Sequence, residues 1–102
     1  MRKIFFGLLM TLLSFQAVAQ DDDNKTITRL KIELGNYGYI RVENNFSLAC
    51  PYNAVFFDIV SDSGKGHLSL FLAAKLASVA VSVTYAIDSE TGNCKLSAAA
   101  LD

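Results

Sequence analysis

The chain is poor in the residues that carry most enzyme chemistry. It holds one histidine, His67, and two cysteines, Cys50 and Cys94, in 102 residues. No Cys/His set is therefore available for zinc. Only one acid, Asp58, lies within an apolar stretch, and a lone carboxylate supports neither general acid–base work nor a calcium cage. Asp58 is expected at a rim or beside a cation, and His67 on the surface at a helix start. The reading is of a non-enzyme with no catalytic residue, metal or cofactor. An excess of positive charge is also missing: the net charge is −1, which argues against a nucleic-acid partner. No internal repeat or low-complexity segment is present.

Apolar runs are short. The N-terminal one, Ile4–Phe15, has 12 residues, against the about 20 that a spanning helix requires, so no stable membrane insertion is expected. Arg2 and Lys3 precede it and Ala17-Val18-Ala19 follows it, the pattern of a secretory signal peptide over residues 1–19 cleaved between Ala19 and Gln20. Its removal takes away two cations and no acid, leaving seven Lys/Arg against ten Asp/Glu, a net −3. The product is expected to be secreted or periplasmic. In such an oxidising compartment Cys50 and Cys94 read as one disulfide. Closing a loop of about 45 residues, it contributes about 4 kcal/mol. Residues 20–26, which include DDDNK, read as a flexible acidic tail, and residues 27–102 as a single domain.

Within that domain, ITRLKIEL (Ile27–Leu34) alternates as a half-buried strand, with Leu30, Ile32 and Leu34 inward. The turn GNYG leads to YIRVE (Tyr39–Glu43), with Ile40 and Val42 inward, completing a hairpin. AVFFDIV (Ala54–Val60) reads as a third strand buried on both faces. SDSGKG (Ser61–Gly66) lacks the spacing and Lys-Ser/Thr pair of a phosphate loop and reads as a turn. A helix follows, with Leu68, Leu72 and Leu76 on one face. Strict alternation begins at Val79 and runs to Ile87, and after DSETGN a last strand spans Cys94–Leu101.

Three strands, one helix and two strands match a five-stranded Greek-key barrel of the OB type, with the helix between strands three and four. The Leu68 face would then cap the barrel. The alternative is an open antiparallel sheet with one packed helix.

The segment LSLFLAAKLASVAVSVTY, a short gap and then Cys94 resemble small secreted bacterial proteins related to toxin B subunits, the subtilase-cytotoxin and pertussis-like group. Leu68, Leu72, Ala73, Ala74, Val79, Val81, Val83, Tyr85, Cys50 and Cys94 fall on that pattern, which covers Ile27–Leu101. The chain departs from it at Ser78-Val79-Ala80, where the group often has a glycine and a basic residue, and its loops are shorter. The resemblance implies an OB-type fold, a ring of five subunits and host-glycan binding.

Sugar sites pair aromatic faces with amides, because rings pack on C–H surfaces while amides bond hydroxyls. Asn36, Tyr37 and Tyr39, with Tyr52 and Asn53, offer that mixture. Leu70, Ala73, Ala74 and Ala77 form an apolar stripe opposite the Leu68 face, read as a homo-oligomer interface. The expected function is an exported, non-catalytic glycan-binding module. The alternative is a small periplasmic protein that binds or inhibits another protein.

Overall fold

The computed structural model describes residues 19–102. The expected signal peptide lies, apart from Ala19, outside the described residues. No helix among them is long and apolar enough to cross a membrane.

Six strands and one helix follow in the order β1 (Gln20–Lys25), β2 (Ile27–Ile32), β3 (Tyr37–Val42), β4 (Val55–Asp58), α1 (Asp62–Ala77), β5 (Val81–Ile87) and β6 (Cys94–Leu101). They form one mixed sheet in the order β1-β5-β6-β4-β3-β2. Every neighbouring pair is antiparallel except β4–β6, which is parallel. The hydrogen-bonded sheet is open, as in the alternative architecture, but it is mixed and has six strands rather than five. The extra strand comes from an interruption at Thr26. Lys25 pairs with Val81 of β5, while Ile27 pairs with Val42 of β3. The two end strands of the sheet are thus consecutive in the chain, one residue apart.

Residues 20–25 are not a solvated tail. The middle acid of DDDNK, Asp22, is only 4% exposed. It accepts from the Ser47 N–H (2.8 Å), the Ser47 hydroxyl (2.6 Å) and the Tyr85 phenol (2.7 Å). Those partners lie on a distant loop and strand, and they satisfy the carboxylate that burial would otherwise penalise. Asp21 and Asp23, on alternate positions, stay exposed.

The core collects one face of five strands: Ile27 of β2, Ile40 and Val42 of β3, Val55 and Phe57 of β4, Val81, Val83 and Tyr85 of β5, Cys94 and Leu96 of β6. Ile32 (45% exposed) and Leu34 (96%) stand outside it, because β2 ends at Ile32. Helix α1 is capped by Ser61, whose hydroxyl accepts from the Gly64 N–H (3.0 Å). Gly64 lies hard against β4: a Cβ there would collide with the Asp58 carbonyl oxygen. This close approach fixes the rotation of the helix. Gly64, Phe71 and Ala74 face the sheet, and Phe71 meets Phe57 edge-on with ring centroids 5.2 Å apart.

Two expectations about the helix are corrected by this phase. Leu72 is 48% and Leu76 79% exposed, so Leu68-Leu72-Leu76 is not the capping face; Leu68 alone is partly buried against the core. A residue one place from Phe71 sits about 100° round the axis. Of the expected interface stripe, Ala74 is buried at 2% exposure and Leu70 packs partly against the core, while Ala73 and Ala77 are exposed. The outward apolar stripe is therefore Leu72, Ala73, Leu76 and Ala77.

Cys50 and Cys94 form the expected disulfide, with Cα atoms 5.5 Å apart. It ties the loop before β4 to the first residue of β6.

Candidate functional site

Alternation along β3 sends Ile40 and Val42 into the core and Tyr37, Tyr39 and Arg41 to the opposite face. The same rule on β4 puts Val55 and Phe57 inside and Phe56 outside. Register then sets Tyr39 beside Phe56, and Tyr37 beside Asp58. The rings meet: Phe56 lies 5.4 Å from Tyr39, 5.8 Å from Tyr37 and 6.5 Å from Tyr52, centroid to centroid. Phe56 is thus the hub of an aromatic platform on the face of the sheet away from α1.

A cleft of about 730 Å³ opens over this platform. Its floor is Tyr37, Tyr39, Arg41, Phe56 and Lys95. Glu33 of the β2–β3 turn walls one side, and Asp88, Thr91 and Asn93 of the β5–β6 turn the other. It offers apolar rings below and hydrogen-bonding groups around the rim, the usual composition of a small-molecule site.

Tyr52 is held in an unusual way. It sits in a short 3-10 turn, Pro51–Asn53, at φ 62° and ψ 10°, the left-handed region that bulky side chains avoid. The residue is 72% exposed. Asn53 follows with φ 55°, and the turn is tethered at its start by the Cys50–Cys94 bridge. Strain of this kind persists where surrounding structure over-determines it, and it clusters at ligand sites.

The electrostatics of the rim are uneven. Asp58 does not pair with a cation; its oxygens accept from the Ser61 N–H (2.8 Å), the Ser61 hydroxyl (3.0 Å) and the Val60 N–H (3.0 Å). These bonds, led by the Ser61 N–H, hold its pKa below the ordinary carboxylate value. Asp88 likewise accepts from the Glu90 N–H and the Thr91 hydroxyl, and Glu33 pairs with Lys31 at 3.6 Å. Arg41 differs: its guanidinium lies 5.5 Å from the Tyr39 ring centroid, and its Nε is buried without a hydrogen-bond partner.

Of the residues expected to bind ligand, Tyr37, Tyr39 and Tyr52 come together at the cleft. Asn36 and Asn53 do not line it; Asn36 instead accepts the Ile59 N–H with its backbone carbonyl. Asn93 supplies the amide there. Phe56 escaped sequence reasoning because β4 is apolar at three consecutive positions, which hides its alternation. Arg41 was missed as well, although its alternation with Tyr39 on one strand places it on the same face. His67 is half-buried on α1, its ring 6.5 Å from that of Phe71. Among the described residues no group of His, Cys, Asp and Glu is placed to hold a metal ion.

Comparison with protein-family models, with curated proteins and with solved structures finds no match to this chain.

Proposed function

We propose that this protein is an exported, non-catalytic binding module that receives a glycan on the Phe56 platform, as its resemblance to toxin B subunits implies. The observation that carries the reading is the convergence of Tyr37, Tyr39 and Tyr52 on Phe56, with Tyr52 held exposed in a strained conformation. Aromatic faces at this density favour the C–H surfaces of sugar rings, and Thr91 and Asn93 offer partners for hydroxyls.

Topology supports the same reading. Taken together across Thr26, β1 and β2 are one bent strand that pairs with β3 on one side and β5 on the other. On this reading the fold is a five-stranded OB-type barrel with its helix between the third and fourth strands. OB folds take oligosaccharides and oligonucleotides on the face of strands two and three, between the first and fourth loops. The cleft occupies that place: β3 and β4 form its floor, and the β2–β3 and β5–β6 turns its sides. Screening the disulfide-bonded protein and its Tyr37→Ala and Tyr52→Ala variants on a glycan array tests the proposal. Binding that both substitutions leave unchanged would overturn it.

The outward stripe Leu72, Ala73, Leu76 and Ala77 favours a second reading, in which this helix face meets another protein or neighbouring subunits of a ring, a pentamer by resemblance. Sedimentation decides between them. Assembly in wild type that Leu76→Glu abolishes supports the ring, and a monomer at micromolar concentration favours a different partner.

A further inference from the structure

The cations of this small acidic domain are not scattered. Arg29, Lys31, Arg41 and Lys95 share the cleft face, four of the seven Lys/Arg in residues 20–102. Arg29 stands directly opposite Arg41 across the β2–β3 ladder, and Lys31 opposite Tyr39; Lys95 lies beside Phe56 in the β4–β6 ladder. Like charges placed opposite one another destabilise a sheet, so folding alone does not account for the arginine pair. The neighbouring acids do not relieve it. Asp58 and Asp88 keep their charge but bond within their own turns, Asp58 acting electrostatically on Lys95 rather than on the arginines, and Glu33 pairs with Lys31. Arg29, Arg41 and Lys95 make no hydrogen bond or ion pair with a side-chain carboxylate among the described residues, and the Arg41 Nε is buried without a partner.

Arg29 and Arg41, which no carboxylate among the described residues pairs, flank the aromatic floor on one side, and Lys95, which feels the Asp58 charge, lies on the other. The arginine pair favours negative charge. From Arg29 on β2 to Lys95 on β6 the sheet crosses three strand spacings, about 14 Å. A single anionic group cannot touch both ends of that span. We infer that the glycan is an extended acidic chain, with sulfate or carboxylate groups on successive sugars, its rings on the Phe56 platform and its anions on Arg29, Arg41 and Lys95. This rests on the glycan reading above and narrows its ligand class. Guanidinium groups suit such oxyanions because they donate two parallel hydrogen bonds.

The test is titration of the disulfide-bonded protein with four probes: a heparin oligosaccharide, a neutral maltooligosaccharide of equal length, a glycan with one terminal acidic sugar, and an oligothymidylate of matching charge. The heparin probe is expected to bind at least tenfold more tightly than the others, with affinity falling as salt is raised. Arg41→Gln and Lys95→Gln should each weaken it by about tenfold. Arg29→Gln should weaken binding while leaving the melting temperature of the free protein unchanged or raised, since it relieves a repulsion. A purely structural arginine would lower it. If neutral and sulfated probes bind equally, with Tyr52→Ala weakening both and the charge variants weakening neither, the acidic-chain inference fails and the glycan reading stands. If no sugar binds, both fail. Equal binding of the single-acid glycan or of oligothymidylate overturns the inference, as does a melting temperature lowered by Arg29→Gln.

Discussion

The Tyr85 phenol donates to the Asp22 carboxylate across 2.7 Å, joining residues 63 apart in sequence. Tyr85 is fully buried, and its oxygen also accepts the Leu48 N–H at 3.1 Å. The pair therefore fastens β1, β5 and the loop before β4 at one point. Replacing Asp22 by Asn, or Tyr85 by Phe, leaves buried polar groups short of a partner. Each change should cost about 1–3 kcal/mol in urea unfolding.

The same pair sets how stability depends on pH. Burial raises the pKa of Asp22, but the bonds from Ser47, Tyr85 and Gln20 outweigh it and the net shift is downward. A carboxyl whose folded pKa is depressed stabilises the fold above its unfolded value, and that contribution is lost as pH falls through the folded one. Stability should thus decline below about pH 4. Asp22→Asn should flatten that decline without abolishing it, because Asp58 is shifted the same way. The Tyr85 phenol is pushed up to about 12, chiefly by burial, with Asp22 adding to the effect. Its proton is held more tightly in the folded state, so stability should hold below about pH 10 and fall from there towards 12. Melting temperatures of Tyr85→Phe across this range should lack that alkaline loss.

Two glycines of α1 should respond oppositely to alanine. At Gly64 a Cβ would collide with the Asp58 carbonyl, whereas at Gly66 it would meet nothing within 4 Å. Gly64→Ala should cost about 1–3 kcal/mol by forcing the helix off the sheet. Gly66→Ala should add about 0.5–1 kcal/mol through the loss of glycine's backbone freedom. Paired chemical denaturation curves check both.

Tyr52 should show stability and binding moving apart. Asparagine tolerates left-handed backbone far better than tyrosine. Tyr52→Asn should therefore raise stability by about 1 kcal/mol while lowering glycan affinity. A variant that loses stability would show that the tyrosine ring is there for packing.

Much of this was legible in the sequence because it rests on local pattern. The hairpin of β2 and β3, the last two strands and the tyrosine-rich composition of the cleft follow from alternation and turn residues. The Cys50–Cys94 bridge follows from there being two cysteines behind an N-terminal pattern that reads as a signal for export. What was not legible depends on partners far away in sequence. DDDNK reads as a tail until Ser47 and Tyr85 supply the bonds that let Asp22 be buried. The helix reads as facing inward through Leu72 and Leu76 until Gly64, a residue with no side chain to signal its role, presses against Asp58 and turns Phe71 inward. The arginine pair arises from the β2–β3 register, which shifts at an irregularity between Ile27 and Arg29, and a strand pattern alone does not reveal that shift.

The parallel contact of β4 with β6 is a seam between two locally assembled pieces. One piece is β2-β3-β4, built from neighbours in sequence, and the other is the β5–β6 hairpin. Only Val55↔Cys94 and Phe56↔Lys95 are in register along it, so it is the shortest ladder in the sheet. Its two strands are separated by a long stretch of chain, so closing it costs more conformational entropy than forming either flanking hairpin. The disulfide sits at one end of this seam. The cleft straddles it, with Tyr37, Tyr39, Arg41 and Phe56 on one bank and Asn93 and Lys95 on the other. A ligand lying across both banks, as proposed above, should act as a further clasp beside the disulfide and the β1–β5 ladder. Ligand binding should therefore raise the melting temperature of the disulfide-bonded protein.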